Sequence, residues 1–158
     1  MTITPSLLLT RAETSAFTET STHADVLAFV DALGALGDAR LHISDFGTTP
    51  EDRLLPLLVL SAHGHFTPAA AQASGLPVVL ILCGIHAGEV EGKEAALMLV
   101  RNLLRGEHGD VLQHCTLLVV PLFNPDCNER LSADNRPLDI AHLRGQDGPA
   151  LVGTRNNA

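Results

Sequence analysis

In the stretch LCGIHAGEVEGKEAA, residues 82–96, a histidine and a glutamate stand three apart, His86 and Glu89, on a turn of small residues. A neutral imidazole nitrogen and a carboxylate are both donors that zinc accepts. A catalytic zinc site usually adds one more protein ligand and a water. Ala87 and Gly88 are small enough for the backbone to turn tightly between the two side chains. His-x-x-Glu also arises often by chance. Its ordinary reading is a surface histidine beside a glutamate that favours the positive end of a helix.

Position decides between these readings, so the elements around the pair matter. PVVLILCG (77–84) is continuously apolar and rich in β-branched residues, the pattern of a strand buried on both faces. A helix follows from about residue 89 to 105, with Ala96, Leu97, Val100, Leu103 and Leu104 on its apolar side. CTLLVVPL (115–122) is a second buried strand. Strand, helix, strand with such runs predicts a parallel βαβ unit. Sites in open α/β sheets form beyond the carboxyl ends of the strands. His86 and Glu89 fall there after the first strand, and FNPDCNER (123–130) falls there after the second.

Upstream, Thr22 and Asp25 form the pattern of a capping box, and Val26, Phe29, Val30 and Leu33 follow at helical spacing until Gly34 or Gly37. Leu41 to Phe46 alternates, GTTPEDR (47–53) is turn chemistry, and LLPLLVLS (54–61) is a strand that Pro56 places at or near an edge. These two strands pair as a hairpin. Residues 63–75 read as a loop or a small helix. After Leu131 the chain turns polar without a period, and residues 132–158 read as a long loop or tail.

The other candidate groups have plainer explanations. Asn-Pro-Asp (124–126) is a good turn by itself, Arg130 suits a solvated position, and Arg155 suits an ordinary tail. His63 and His65 belong to no second ligand cluster. His23, His108 and His114 read as surface residues and His42 as a strand residue. His142 is the one downstream histidine with a path back to the site. Cys83 reads as core, and Cys127 sits on the turn bordering the cleft.

The 158 residues suffice for one domain with a sizeable core, and 46 % are apolar. A formal net charge of −8 and the lack of a basic patch argue against nucleic acid. The apolar runs are too short to span a bilayer, and the N-terminus lacks the basic start and long apolar run of a signal peptide. Three cysteines without close spacing suit reduced thiols and a cytoplasmic setting. There is no Trp and no Tyr, which is unusual for an enzyme cleft, so the core is aliphatic or part of the site lies outside this chain.

Taken in order, GIHAGEVEGKEAALMLVRNLL, a buried strand, FNPDCNER and then GTRNNA resemble the N-terminal part of a zinc carboxypeptidase-like metallopeptidase, across roughly residues 40–158. The resemblance implies an α/β fold, a mixed and mainly parallel sheet sandwiched by helices, with 1–158 as a single partial catalytic domain and residues 1–20 as an irregular extension. It implies that His86 and Glu89 are the first two ligands of Zn2+. A water at the metal would attack a peptide carbonyl with help from a glutamate base, so that the substrate is a peptide or amide with a free C-terminus. It places the oxyanion-stabilising arginine at Arg155, with Arg130 as the weaker candidate. The family's Asn-Arg pair, third zinc ligand and glutamate base have no matching positions, and Cys127 stands where a glycine is usual. The chain therefore reads as a fragment, inactive alone. The resemblance further implies an unpaired edge at residues 78–84 through which the chain self-associates. The alternatives are a zinc deacylase of small acylated amino acids and a non-catalytic remnant or interaction module.

Overall fold

The computed structural model describes residues 8–86 and 88–130. Ten elements follow in chain order: α1 (Arg11–Thr14), α2 (His23–Gly34), β1 (Leu41–Thr48), β2 (Leu54–Leu60), α3 (Pro68–Ser74), β3 (Val78–Leu82), α4 (Glu91–Leu104), α5 (Val111–His114), β4 (Thr116–Val120) and α6 (Pro125–Asn128).

The long helices start and stop for local reasons. The Thr22 hydroxyl accepts from the Asp25 N–H, and the Asp25 carboxylate accepts from the Thr22 N–H, which closes the predicted capping box. An unanticipated box of the same kind, Thr10 with Glu13, opens α1. Pro68 sits in the first turn of α3, and Gly75 ends that helix in the left-handed region.

The four strands form one mixed sheet in the order β1-β2-β4-β3. β1 and β2 are the expected antiparallel hairpin, β2 pairs antiparallel with β4, and β3 pairs parallel with β4. Among the described strands, antiparallel pairings thus outnumber the parallel one, because the hairpin docks directly on β4. The expected βαβ unit is present, with α4 crossing between adjacent parallel strands.

Two local expectations are adjusted. Pro56 lies near an edge but not on it: β2 is the strand next to the outermost described strand β1, between β1 and β4. The proline is accommodated because the β2–β4 ladder begins only at Leu58, and because the β1–β2 register shifts between Asp45 and Thr48, beside its partner Asp45. β3 is not buried on both faces. Among the described strands it has a neighbour on one side only, and Val78 and Leu80 are more than half exposed. A continuous apolar run reports a strand that favours burial, not the presence of a neighbour to provide it.

The core lies on one face of the sheet. Val26, Phe29, Val30 and Leu33 of α2 and Ala96, Leu97, Val100, Leu103 and Leu104 of α4 pack on Leu58, Leu60, Leu117 and Val119. These strand residues alternate along β2 and β4, as one face of a pleated sheet requires. The core is aliphatic apart from Phe29.

Candidate functional site

The chain after β3 turns at Gly84, whose φ is +63°. A side chain is excluded there for two reasons. The left-handed region disfavours it, and a Cβ would lie 2.6 Å from Leu122 Cδ1 and 3.2 Å from its Cα. This close approach lets the segments after β3 and β4 join through their backbones. Phe123 N–H donates to the Cys83 carbonyl at 2.8 Å, and Asn124 N–H donates to the Gly84 carbonyl at 2.9 Å.

On this seam stand His86 and Glu89. His86 Nδ1 and Glu89 Oε2 are 3.0 Å apart, both side chains partly exposed. The Glu89 N–H also donates to the His86 carbonyl at 3.0 Å, which closes the turn between them. The two side chains therefore meet beyond the carboxyl end of β3. Among the described residues, no group of three or more His, Cys, Asp or Glu side chains is placed to hold a metal.

The turn after β4 is built around Asn124. Its Oδ1 accepts from the Cys127 N–H at 3.2 Å and caps α6, and its Nδ2 donates to the Ile85 carbonyl at 3.1 Å. Cys127 is buried and lies within this helical turn, and it is not among the residues with positive φ. The turn therefore makes no demand for glycine at that position.

α6 is anchored on two sides. Toward the β1–β2 turn, Asp126 accepts from the Thr49 hydroxyl and from Arg53 Nη1, both at 2.7 Å. Desolvation alone would raise the Asp126 carboxyl, but these donors hold it below its usual range. Arg130 pairs with Glu51 on the same turn. Toward α4, the Lys93 ammonium donates to Asn128 Oδ1, and Asn128 Nδ2 donates to the Ser21 carbonyl at 3.3 Å and to Glu129 Oε1 at 3.0 Å. Lys93 is 1 % exposed. Burial pushes its ammonium down to about 8, against the pull of Glu94, Glu129 and Asp25. His23, expected at the surface, is buried instead: its Nε2 lies 2.8 Å from the Leu54 carbonyl, and its N–H donates to Glu129.

Of the residues singled out in the sequence, His86 and Glu89 are brought together, and Arg130 is held at the β1–β2 turn. Arg155 and His142 lie outside the described residues, as does the polar stretch 132–158. Sequence reasoning missed Gly84, Lys93, Asn124 and Asn128 as supports. Asn124 carried a local signal, an Asx residue before proline at a helix start. Lys93 carried another, a cation among apolar helix positions.

The sequence model of the zinc carboxypeptidase family matches residues 26–144. No curated protein matches the chain. Among solved structures, carboxypeptidase A from Helicoverpa armigera is similar at 19 % identity and a TM-score of 0.61, over 77 % of this chain and 30 % of that one. Bovine thrombin-activatable fibrinolysis inhibitor, solved with tick carboxypeptidase inhibitor, is similar at 15 % identity and 0.58, over 85 % and 48 %. A metallo-carboxypeptidase from Burkholderia cenocepacia is similar at 26 % identity and 0.52, over 66 % and 27 %. The chain thus spans less than half the length of each of these proteins.

Proposed function

Because the chain belongs to the zinc carboxypeptidase family, we propose that His86 and Glu89 are donors to a zinc ion in the hydrolysis of a peptide or amide with a free C-terminus. The observation that carries this reading is the meeting of His86 Nδ1 and Glu89 Oε2 at 3.0 Å, on the hydrogen-bonded seam beyond the carboxyl end of β3. An imidazole and a carboxylate suit zinc, and a third donor is not among the described residues. Bound there, zinc would supply a Lewis acid that polarises a carbonyl and makes water a nucleophile near neutral pH.

The chain's own residues set the geometry. Gly84 and Asn124 fix the path of the segment leading to His86, through hydrogen bonds to the Cys83, Gly84 and Ile85 carbonyls. Arg155 is the residue we assign to the developing oxyanion, where a fixed cationic donor acts most strongly, with Arg130 as the second candidate. The three free thiols support a reducing, cytoplasmic setting.

Calorimetric zinc titration of the 158-residue polypeptide, its His86→Ala variant and its Glu89→Gln variant tests the assignment. Weak zinc binding is expected, lowered about tenfold or more by either substitution. Equal zinc affinity in all three proteins would remove the assignment. Blocked dipeptides with a free C-terminus serve as substrates in parallel. No turnover is expected from this polypeptide alone, since a base contributes ~10²–10⁴-fold and none is in place among the described residues.

A further inference from the structure

Away from His86 and Glu89, the turn after β2 brings two imidazoles together. His63 and His65 flank Gly64, and their ring centroids lie 5.4 Å apart with the planes inclined at 33°. The turn is built to hold them there. The hydroxyl oxygen of Ser61, a fully buried residue, accepts from the His63 N–H at 3.2 Å and from the His65 N–H at 3.3 Å. Gly64 has a φ of +72°, a left-handed value that glycine takes without strain. The Ser61 N–H donates to the Arg40 carbonyl and the Ala62 N–H to the Leu112 carbonyl, which fasten the turn to the start of β1 and to α5.

The ring nitrogens suit a shared ion. His63 Nε2 lies 3.2 Å from the Gln113 carbonyl. A carbonyl only accepts, so Nε2 carries the proton and Nδ1 keeps a free lone pair. Metal-ligating histidines usually make such an outer bond, which fixes both tautomer and ring orientation. His65 Nδ1 is enclosed and has no hydrogen-bond partner among the described residues. An enclosed nitrogen without a partner is unfavourable, and a bare divalent ion, being smaller than water, reaches places closed to water. With metal–nitrogen bonds of about 2.0–2.1 Å at a tetrahedral angle, two imidazoles on one ion have centroids about 5 Å apart. The observed separation needs little movement to reach that value. No third His, Cys, Asp or Glu joins the pair among the described residues, so water completes the coordination.

We propose that His63 and His65 form a second metal site, a two-histidine chelate for a late first-row divalent ion. Imidazole donors suit Cu2+, Ni2+ and Zn2+, whereas Mg2+ and Ca2+ require oxygen ligands. The bound ion joins the turn after β2 and α5 into one unit through Gln113, and it stabilises the folded chain by mass action. β2 runs antiparallel to β4, and Leu60 pairs with Leu117 near the start of β4. The turn therefore lies at the opposite end of the sheet from His86, which follows the carboxyl end of the parallel strand β3. The proposal does not rest on the peptidase reading.

The test uses the 158-residue chain without an affinity tag, carrying His86→Ala so that the other site is silent. Calorimetric titration with Ni2+ at about pH 7.5, where imidazole competes well against protons, should show one ion per chain. His63→Ala and His65→Ala, each added to this background, should weaken binding about tenfold or more, and His108→Ala should leave it unchanged. Undiminished affinity in either of the first two variants, or an equal loss in the third, would overturn the proposal. A second measurement does not depend on those variants folding. The nitrogen hyperfine pattern of Cu2+ bound to the His86→Ala chain, read by electron paramagnetic resonance, should report two imidazoles. A single imidazole, or Cu2+ spread over several sites, would equally count against the chelate.

Discussion

Asn124 Nδ2 donates to the Ile85 carbonyl at 3.1 Å and so binds the turn after β4 to the segment that presents His86. The same side chain caps α6 through Cys127 N–H. Asn124→Ala removes both bonds in a buried place. A cap and a hydrogen bond are each worth about 1 kcal/mol, so the expected loss of stability is about 2 kcal/mol. Urea denaturation measures it. Zinc affinity should fall in the same variant although Asn124 is not proposed as a donor.

Gly84 and Gly75 both have positive φ, but their surroundings differ. Gly75→Ala meets open space and should cost only the conformational strain, about 1 kcal/mol. Gly84→Ala adds a clash with Leu122 at 2.6 Å and should cost about 1–3 kcal/mol more. Equal destabilisation of the two variants would show that the seam between β3 and β4 is looser than described.

Lys93 is the only lysine in the chain, which makes its titration separable. Its ammonium falls from 10.5 to about 8 in the folded state, so between those values the unfolded chain binds more protons. Stability should therefore rise with pH from about 8 toward 10.5, by up to about 3 kcal/mol. Burial raises the Cys83 thiol, which opposes this gain above its ordinary value of 9.0, so the clearest interval is pH 8–9. Denaturation at several pH values, compared with Lys93→Met, should show the slope in the parent and its loss in the variant.

The Thr22–Asp25 box offers a simpler comparison. Thr22→Ala leaves the Asp25 N–H without its acceptor and should cost about 1 kcal/mol. Thermal unfolding should place Thr22→Ser close to the parent, since serine keeps the oxygen.

What the sequence by itself determined is local. A capping box spans three residues, a hairpin one turn, and a helix a few periods of an apolar pattern. Each is specified by groups that meet within a few residues of chain. Thr22 with Asp25, the β1–β2 hairpin, the α4 crossover and the convergence of His86 with Glu89 were legible for that reason. The seam behind the pair was only half legible. Asn124 announced a turn, but its bond to Ile85 spans 39 residues. Tertiary structure alone decided which strands are neighbours, because apolar content drives burial without naming a partner. It placed β2 beside β4, enclosed Pro56, and set β3 outermost among the described strands. It also buried His23 and Lys93, whose charge-capable groups fit there only because Leu54, Glu129 and Asn128 approach from distant parts of the chain.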